Sequence, residues 1–272
     1  MTLRLFLLLA AALAAASVPT AAQTPGASGN SLQSAADLAV RRGQLLYAYD
    51  QAAWHGTDDF RAKFPSDVQR AGGWVVTGTV AETSLVFFDR DPARPKAIYR
   101  ARLAGSRLVS SGRAKPGEDS LGTEELAIIA ARSRALETFQ AAKVGLCSKA
   151  PANVAILPPE RTGGPHIVYL MTPRTEADKL PFGGHFSVEV FADGRTGPVR
   201  KFTNTCLNLP TRPPGGDGST PAGLFVTHLL DPTPTEIHVF NSLAMKLPVL
   251  VGTSNRIVWA VEGSGIRKMS DR

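Results

Sequence analysis

The sequence predicts an α+β fold: an N-terminal helix packed on an antiparallel meander, a second helix, and then an antiparallel β-rich C-terminal half. Three observations predict this class. Apolar residues recur at helical spacing near the N terminus. Many later runs alternate apolar and polar residues, and short turn-rich segments separate them. Strands joined by short turns favour antiparallel pairing, since parallel strands need long crossover connections.

The first helix is indicated by one apolar stripe. Its members are Leu32, Ala36, Ala39, Gly43, Leu46, Tyr49 and Ala53. Residues three and four apart share a helix face, so this spacing predicts an amphipathic helix with its stripe in the core. Asn30 or Ser34 can cap the start, and Gly56 is predicted to lie near the end.

Four short β-rich runs follow and predict the meander. They cover residues 74–80, 85–88, 96–103 and 107–111, and Gly, Pro and Asp residues separate them. The second helix is predicted to begin after Ser120 or Thr123, with two glutamates in its first turn. This predicts an α+β region over residues 31–143 and a β-rich region over residues 144–272.

The C-terminal half centres on a predicted β-hairpin over residues 183–206, with its reversal at Asp193-Gly194. Further strands are predicted at residues 154–157, 166–171, 224–230, 236–243, 249–252 and 257–261. The segment 211–223, TRPPGGDGSTPAG, is too rich in Pro and Gly for regular structure. It is predicted to be an exposed loop or a lid over a site.

The first 22 residues have the three parts of a signal peptide. Arg4 supplies the positive charge, Leu5 to Ala16 form an apolar run of 12 residues, and small residues precede the predicted cut after Ala22. The run is shorter than the roughly 20 residues that span a bilayer. The sequence therefore predicts a periplasmic or secreted protein without a transmembrane segment after cleavage. Residues 23–30 are predicted to form a flexible leader.

The two cysteines, Cys147 and Cys206, suit an oxidising compartment and are predicted to form a disulfide. Closing their loop of 59 residues would stabilise the fold by about 4 kcal/mol through lost chain entropy. Two buried free thiols are the alternative.

The formal net charge of +7 comes from scattered lysines and arginines. A solvated basic surface explains it, and an anionic polymer or envelope partner is the sharper alternative. Nucleic acid is disfavoured by the export signal and by the lack of a recognisable reading module. No specific partner is indicated.

Four polar residues form the candidate site. Alternation along two predicted strands puts His185 and Glu189 on one wet face, and Glu236 and His238 on another. If the strands are neighbours, the four could bind a divalent metal or perform acid/base chemistry. Ordinary solvated sheet faces are the alternative, and the spacing matches no zinc motif. Phe191 and Phe240 share this side, which indicates either a covering layer or an aromatic binding surface.

Other catalytic patterns are missing from the sequence: there is no GxSxG elbow, no SxxK and no phosphate-binding GxxxxGK[ST] loop. No cofactor is indicated beyond the metal that the His/Glu set could hold. The sequence thus favours a non-enzymatic envelope or binding protein. The alternatives are a metal-assisted or acid/base hydrolase and an accessory subunit that docks through strand edges.

Overall fold

A computed structural model describes residues 29–211, 221–263 and 265–269. The predicted signal peptide, most of the predicted leader and most of the loop at 211–223 lie outside the described residues. Within the described ranges the chain has the predicted α+β class. None of the helices described there is long and apolar enough to cross a membrane.

Three α-helices are present in the described ranges: α1 (Gly29–Lys63), α2 (Thr123–Ala141) and α3 (Glu236–Met245). A 3-10 helix, Pro65–Arg70, follows α1. The strands are β1 (Ala71–Gly78), β2 (Glu82–Asp89), β3 (Ala97–Ala104), β4 (Arg107–Arg113), β5 (Asn153–Leu157), β6 (His166–Met171), β7 (Lys179–Pro181), β8 (Phe186–Val190), β9 (Arg200–Lys201), β10 (Asn208–Pro210), β11 (Leu224–His228), β12 (Val249–Thr253), β13 (Val258–Val261) and β14 (Ile266–Lys268).

The first sheet is the predicted antiparallel meander, in the order β1-β2-β3-β4. The second sheet, β5-β6-β8-β9, is also antiparallel, and β7 and β10 form a separate pair. The remaining sheet has the order β11-β12-β13-β14. Its first two strands run parallel, because α3 lies between them in the chain and carries it back to the starting edge.

The prediction of a strand at residues 236–243 is wrong, because this segment forms most of α3. Thr235 is the N-cap residue, and its backbone N–H donates to Nδ1 of His238 at 3.0 Å. A side chain at the third helical position thereby satisfies a donor that the helix leaves unpaired. The run is short and apolar on nearly every side, so periodicity alone could not separate helix from strand.

The helix α1 is longer than predicted and contributes to two cores. Near its start, Ala36 and Ala39 pack against α3 and the β11–β14 sheet. Further along, Leu46 and Phe60 pack against the first sheet. Gly56 lies inside the helix rather than at its end. A Cβ at that position would overlap the side chain of Leu85. Close packing, not chain termination, explains this glycine.

Both faces of the second sheet are covered near its centre. Val168 and Val188 pack towards α2, while Ile167 and Tyr169 share a core with residues of α1 and α3. Alternation therefore assigned residues to the two sides of β8 correctly. The side predicted to face water is nevertheless covered near the start of the strand. His185 is only 1% exposed, whereas Glu189 faces solvent as predicted.

The predicted disulfide between Cys147 and Cys206 is present. It joins the segment after α2 to the segment after β9, and the glycine pair before His185 packs on it. Gly184 has a φ of +74°, and a Cβ there would lie 2.5 Å from Sγ of Cys147. Only glycine combines this backbone conformation with so close an approach.

Candidate functional site

Two of the four predicted site residues are close to β8: His185 immediately precedes the strand and Glu189 lies near its end. His185 is buried, and its Nε2 donates to the carbonyl oxygen of Pro181 at 3.0 Å. Its Nδ1 is buried without a hydrogen-bond partner among the described residues. Burial lowers the pKa of His185 to about 4, so the ring is neutral near pH 7. Glu189 is exposed on the same strand.

The other two lie in the first turn of α3. Glu236 is 3% exposed and accepts a 2.8 Å hydrogen bond from the hydroxyl of Tyr169. The guanidinium groups of Arg42 and Arg200 each lie 3.9 Å from its Oε1. Its charge is therefore matched by three groups from α1, β6 and β9. Partners of this kind offset the hydration that a carboxylate loses on burial.

His238 is held by the helix start rather than by the other predicted residues. Its Nδ1 accepts from the backbone of Thr235, which leaves the proton of the neutral ring on Nε2. The pKa of His238 is lowered to about 3, chiefly by burial and secondly by the nearby His228. The two imidazole rings meet edge to face at 4.9 Å.

A chain of ionic contacts continues from Glu236 towards the surface. Arg200 bonds Oδ1 of Asp231 at 3.1 Å, and His228 lies 2.8 Å from Oδ2 of the same carboxylate. Burial alone would raise the pKa of Asp231, but the contacts with His228 and Arg200 lower it overall. We call Arg42, Tyr169, Arg200, Asp231 and Glu236 the Glu236 network.

The four predicted residues therefore have different bonding partners. His185 and His238 each bond the backbone, Glu236 belongs to its network, and Glu189 faces solvent. Among the described residues, no three His, Cys, Asp or Glu side chains are grouped so that they could hold a metal ion. The metal or acid/base role of the set stays a prediction.

A cleft of about 1100 Å³ lies along the C-terminal half of α1, and His185 is part of its lining. Its opposite wall comes from β5, from the segment between β6 and β7, and from the end of α3. Apolar side chains, among them Leu46, Val76, Ile156, Met171 and Phe240, form the buried part of the lining. This combination of size and apolar lining is typical of small-molecule sites.

One face of α1 supplies a large share of the polar lining. Its members are Tyr47, Asp50, Gln51, Trp54, Thr57, Asp58 and Arg61. Successive members are mostly three or four residues apart, so they form a continuous stripe beside the apolar one. We call this set the cleft face of α1.

Asp50 is the most perturbed group on the cleft face. Its only hydrogen bond recorded in the described part of the chain comes from Nε2 of Gln51, at 3.5 Å, and no cationic side chain described lies within 4 Å. Burial raises the pKa of Asp50 to about 6, and the contact with Gln51 opposes this shift. A carboxyl group with a raised pKa in a cleft is typical of a functional position.

Aromatic rings flank Asp50 along the helix. Trp54 is 58% exposed and stacks on His55, with ring centroids 4.9 Å apart. Tyr47 meets Phe240 of α3 edge to face at 6.3 Å. Burial raises the pKa of Tyr47, and the charge of Asp50 raises it further, so the hydroxyl remains protonated.

Two unpaired acceptors lie at the buried end of the cleft. His185 and Asn241 both line it, each 1% exposed, and both donate to the carbonyl oxygen of Pro181, at 3.0 and 3.3 Å. Their remaining polar atoms, Nδ1 of His185 and Oδ1 of Asn241, have no hydrogen-bond partner in the described ranges. Unpaired buried acceptors are costly and are expected where a donor is to be bound.

The sequence prediction found His185 but missed the cleft face. A signal was present, because Tyr47, Asp50, Trp54, Asp58 and Arg61 recur at helical spacing outside the apolar stripe. A tryptophan on the wet side of an amphipathic helix was the most unusual member. Comparisons of the chain with protein-family models, with curated proteins and with solved structures give no match.

Proposed function

We propose that this chain is exported to the periplasm or the cell exterior, loses residues 1–22, and binds a small molecule in the cleft along α1. The signal-peptide pattern supports export, and the disulfide is compatible with an oxidising compartment. No enzymatic activity is part of this proposal.

The cleft itself is the observation that carries the proposal. Its volume of about 1100 Å³ suits a ligand of moderate size, and its buried lining is mainly apolar. A few polar groups are spaced along it, with Asp50 near the N-terminal end of the cleft face and the His185–Asn241 pair at the buried end. Apolar walls supply affinity in such sites, while a few polar groups fix orientation.

Binding is favoured over catalysis because neither Asp50 nor His185 is hydrogen-bonded to a second titratable side chain among the described residues. General acid/base chemistry needs an acid or base oriented by a second group within hydrogen-bond reach. In the described ranges the hydrogen-bond partner of Asp50 is the amide of Gln51, and His185 is oriented by a backbone carbonyl. The hydrolase alternative, which would use His185, Glu189, Glu236 and His238, has less support because these residues have separate partners.

The three tryptophans offer a test with an internal control. Trp54 and Trp74 line the cleft, whereas Trp259 lies in the core beneath the β11–β14 sheet. The protein would be labelled with 5-fluorotryptophan and titrated with 2-phenylethanol, an uncharged probe, while ¹⁹F NMR spectra are recorded. We expect the Trp54 and Trp74 signals to shift with saturation and the Trp259 signal to remain in place.

Blocking the cleft sharpens the test. Ala177 is an exposed lining residue, so Ala177→Trp would fill part of the cleft, whereas Ala130→Trp places the same side chain on exposed α2, outside it. We expect weaker probe binding for the first variant only. A probe that moves no tryptophan signal, or moves all three equally, would count against the cleft as a binding site.

A further inference from the structure

We propose that the cleft selects a small organic cation, a protonated amine on an apolar or aromatic body, and that Asp50 is the residue that binds the ammonium group. This inference rests on the proposed function and names the ligand class for the same cleft. Its support comes from the surroundings of Asp50, compared with those of the other acidic side chains that the fold covers.

Other covered carboxylates have cationic partners. Asp67 is bonded by Arg70 and by Arg113. Glu125 is bonded by Arg100, at 2.7 Å. Asp59 accepts from three side chains, those of Lys63, Tyr99 and Ser111. In a medium of low dielectric constant these partners offset the lost hydration of the carboxylate.

Asp50 differs from all of these. Among the described residues its hydrogen-bond partner is an amide at the limit of hydrogen-bond length, although the side chain is half-buried and burial raises its pKa. An unmatched carboxylate in such a place destabilises the fold, and groups of this kind are commonly retained because they act on a ligand. The partner that would restore its charge balance is a cation brought by that ligand.

The other charged groups of the cleft do not supply this cation. The charged lining residues besides Asp50 are Asp58 and Arg61 of α1, Arg174 and Glu176 after β6, and Lys246 at the end of α3; the remaining titratable ones are Tyr47, Tyr49, His55 and His185. Arg174 is bound to backbone carbonyls of Glu176 and Ala177. No described ion pair joins Asp50 to any of the three cations.

The aromatic residues on the cleft face suit the same ligand. Tyr47 lies three residues before Asp50 and Trp54 four residues after it, so both side chains neighbour the carboxylate on one helix face. Aromatic ring faces attract ammonium groups and repel anions. A carboxylate between two rings therefore favours an amine over an alcohol, and both over a carboxylate.

Protonation of Asp50 gives the proposal a pH signature. Its pKa is raised to about 6, so the carboxyl is largely neutral at pH 5 and largely charged at pH 7.5. Binding of an amine that stays protonated across this range should strengthen as the pH rises through about 6. Binding of an uncharged probe should lack this dependence on Asp50.

The test compares two probes that share a phenylethyl body: phenethylamine, which is cationic, and 2-phenylethanol, which is neutral. Dissociation constants would be measured at pH 7.5 by ¹⁹F NMR of the labelled full-length chain. We expect phenethylamine to bind about tenfold more tightly, since a charge-assisted hydrogen bond is roughly twice as strong as a neutral one. That advantage should shrink at pH 5.

Asp50→Asn should abolish the preference without weakening 2-phenylethanol, because the amide keeps the shape and removes the charge. Asp37→Asn is the matched control, since Asp37 is exposed on the same helix outside the cleft lining and the change in net charge is identical. Equal affinities for the two probes in the wild-type protein would overturn the inference and leave the binding function standing. A preference that survives in Asp50→Asn would overturn it as well. Failure of both probes to shift Trp54 and Trp74 would count against the proposed function and the inference together.

Discussion

Two polar regions adjoin α1, and they differ in how their charges are matched. In the Glu236 network, the central carboxylate meets a tyrosine hydroxyl and two guanidinium groups from separate elements. In the cleft, the carboxyl of Asp50 meets one amide of its own helix. The first arrangement holds elements of the fold together, whereas the second leaves interaction capacity for a ligand. Burial and a carboxylate are thus common to both regions, and the partners distinguish them.

The largest expected effect tests the structural half of this comparison. Glu236→Ala leaves Arg42, Arg200 and Tyr169 without their shared anion, and we expect the free energy of unfolding to fall by about 3 kcal/mol. Urea denaturation followed by circular dichroism would measure it. Glu189→Ala is the control, because this exposed glutamate was predicted to belong to the same site and should change stability by less than about 0.5 kcal/mol. Equal effects of the two substitutions would contradict the network.

The second effect concerns Asp50, where we expect a substitution to raise the free energy of unfolding rather than lower it. Its pKa of about 6 in the folded protein exceeds the value of 3.8 expected without burial, so the folded state binds the proton more tightly. The stability from this group is complete below pH 4 and is lost as the pH rises from about 4 to 6.

Asp50→Asn removes that loss. We expect the variant to be more stable than the wild type by about 2 kcal/mol above pH 6 and equally stable below pH 4. Thermal or urea unfolding at pH 4, 5, 6 and 7 would give the difference curve. A destabilised Asp50→Asn variant at pH 7 would assign Asp50 a structural role and end the contrast with Glu236.

The smallest effect on stability is expected at the mouth of the cleft. Trp54 is mostly exposed and stacks on His55, so Trp54→Ala should change the free energy of unfolding by less than about 0.5 kcal/mol. Binding of phenethylamine, measured by isothermal titration calorimetry, should weaken about threefold through the lost ring face. Leu126→Ala, at an exposed apolar position of α2, should alter neither quantity. Unchanged binding in Trp54→Ala would place the ammonium site away from this ring.

Local patterns predicted the fold class, the first two helices, the meander and the disulfide, because each depends on residues close in sequence or on chemistry specific to one residue type. The segment 236–243 failed because Ile237, Val239 and Phe240 fit a short buried strand as well as a buried helix. The parallel pairing of β11 with β12 is what favours a helix there, because parallel strands need a long crossover connection.

The burial of His185 could not be read from alternation for a related reason. Alternation assigns residues to two sides of a strand, but which side is covered depends on the layers that pack on the sheet. Here α1 and α3 cover one side and α2 the other. The cleft was likewise beyond local patterns, because its walls come from several separate segments spread between residues 46 and 246.

The continuity of α1 links the two polar regions through helical phase. Arg42 lies 3.9 Å from Glu236. At the next residue, Gly43, a Cβ would lie only 2.5 Å from Cβ of Val239, so glycine allows α3 to pack closely there. Asp50 follows two turns later. Each residue of an α-helix turns the chain by about 100°. Inserting or deleting one residue between Gly43 and Asp50 would therefore swing the carboxylate out of the cleft while Arg42 kept its position. The spacing of seven residues between Gly43 and Asp50 therefore determines that the carboxylate faces the cleft.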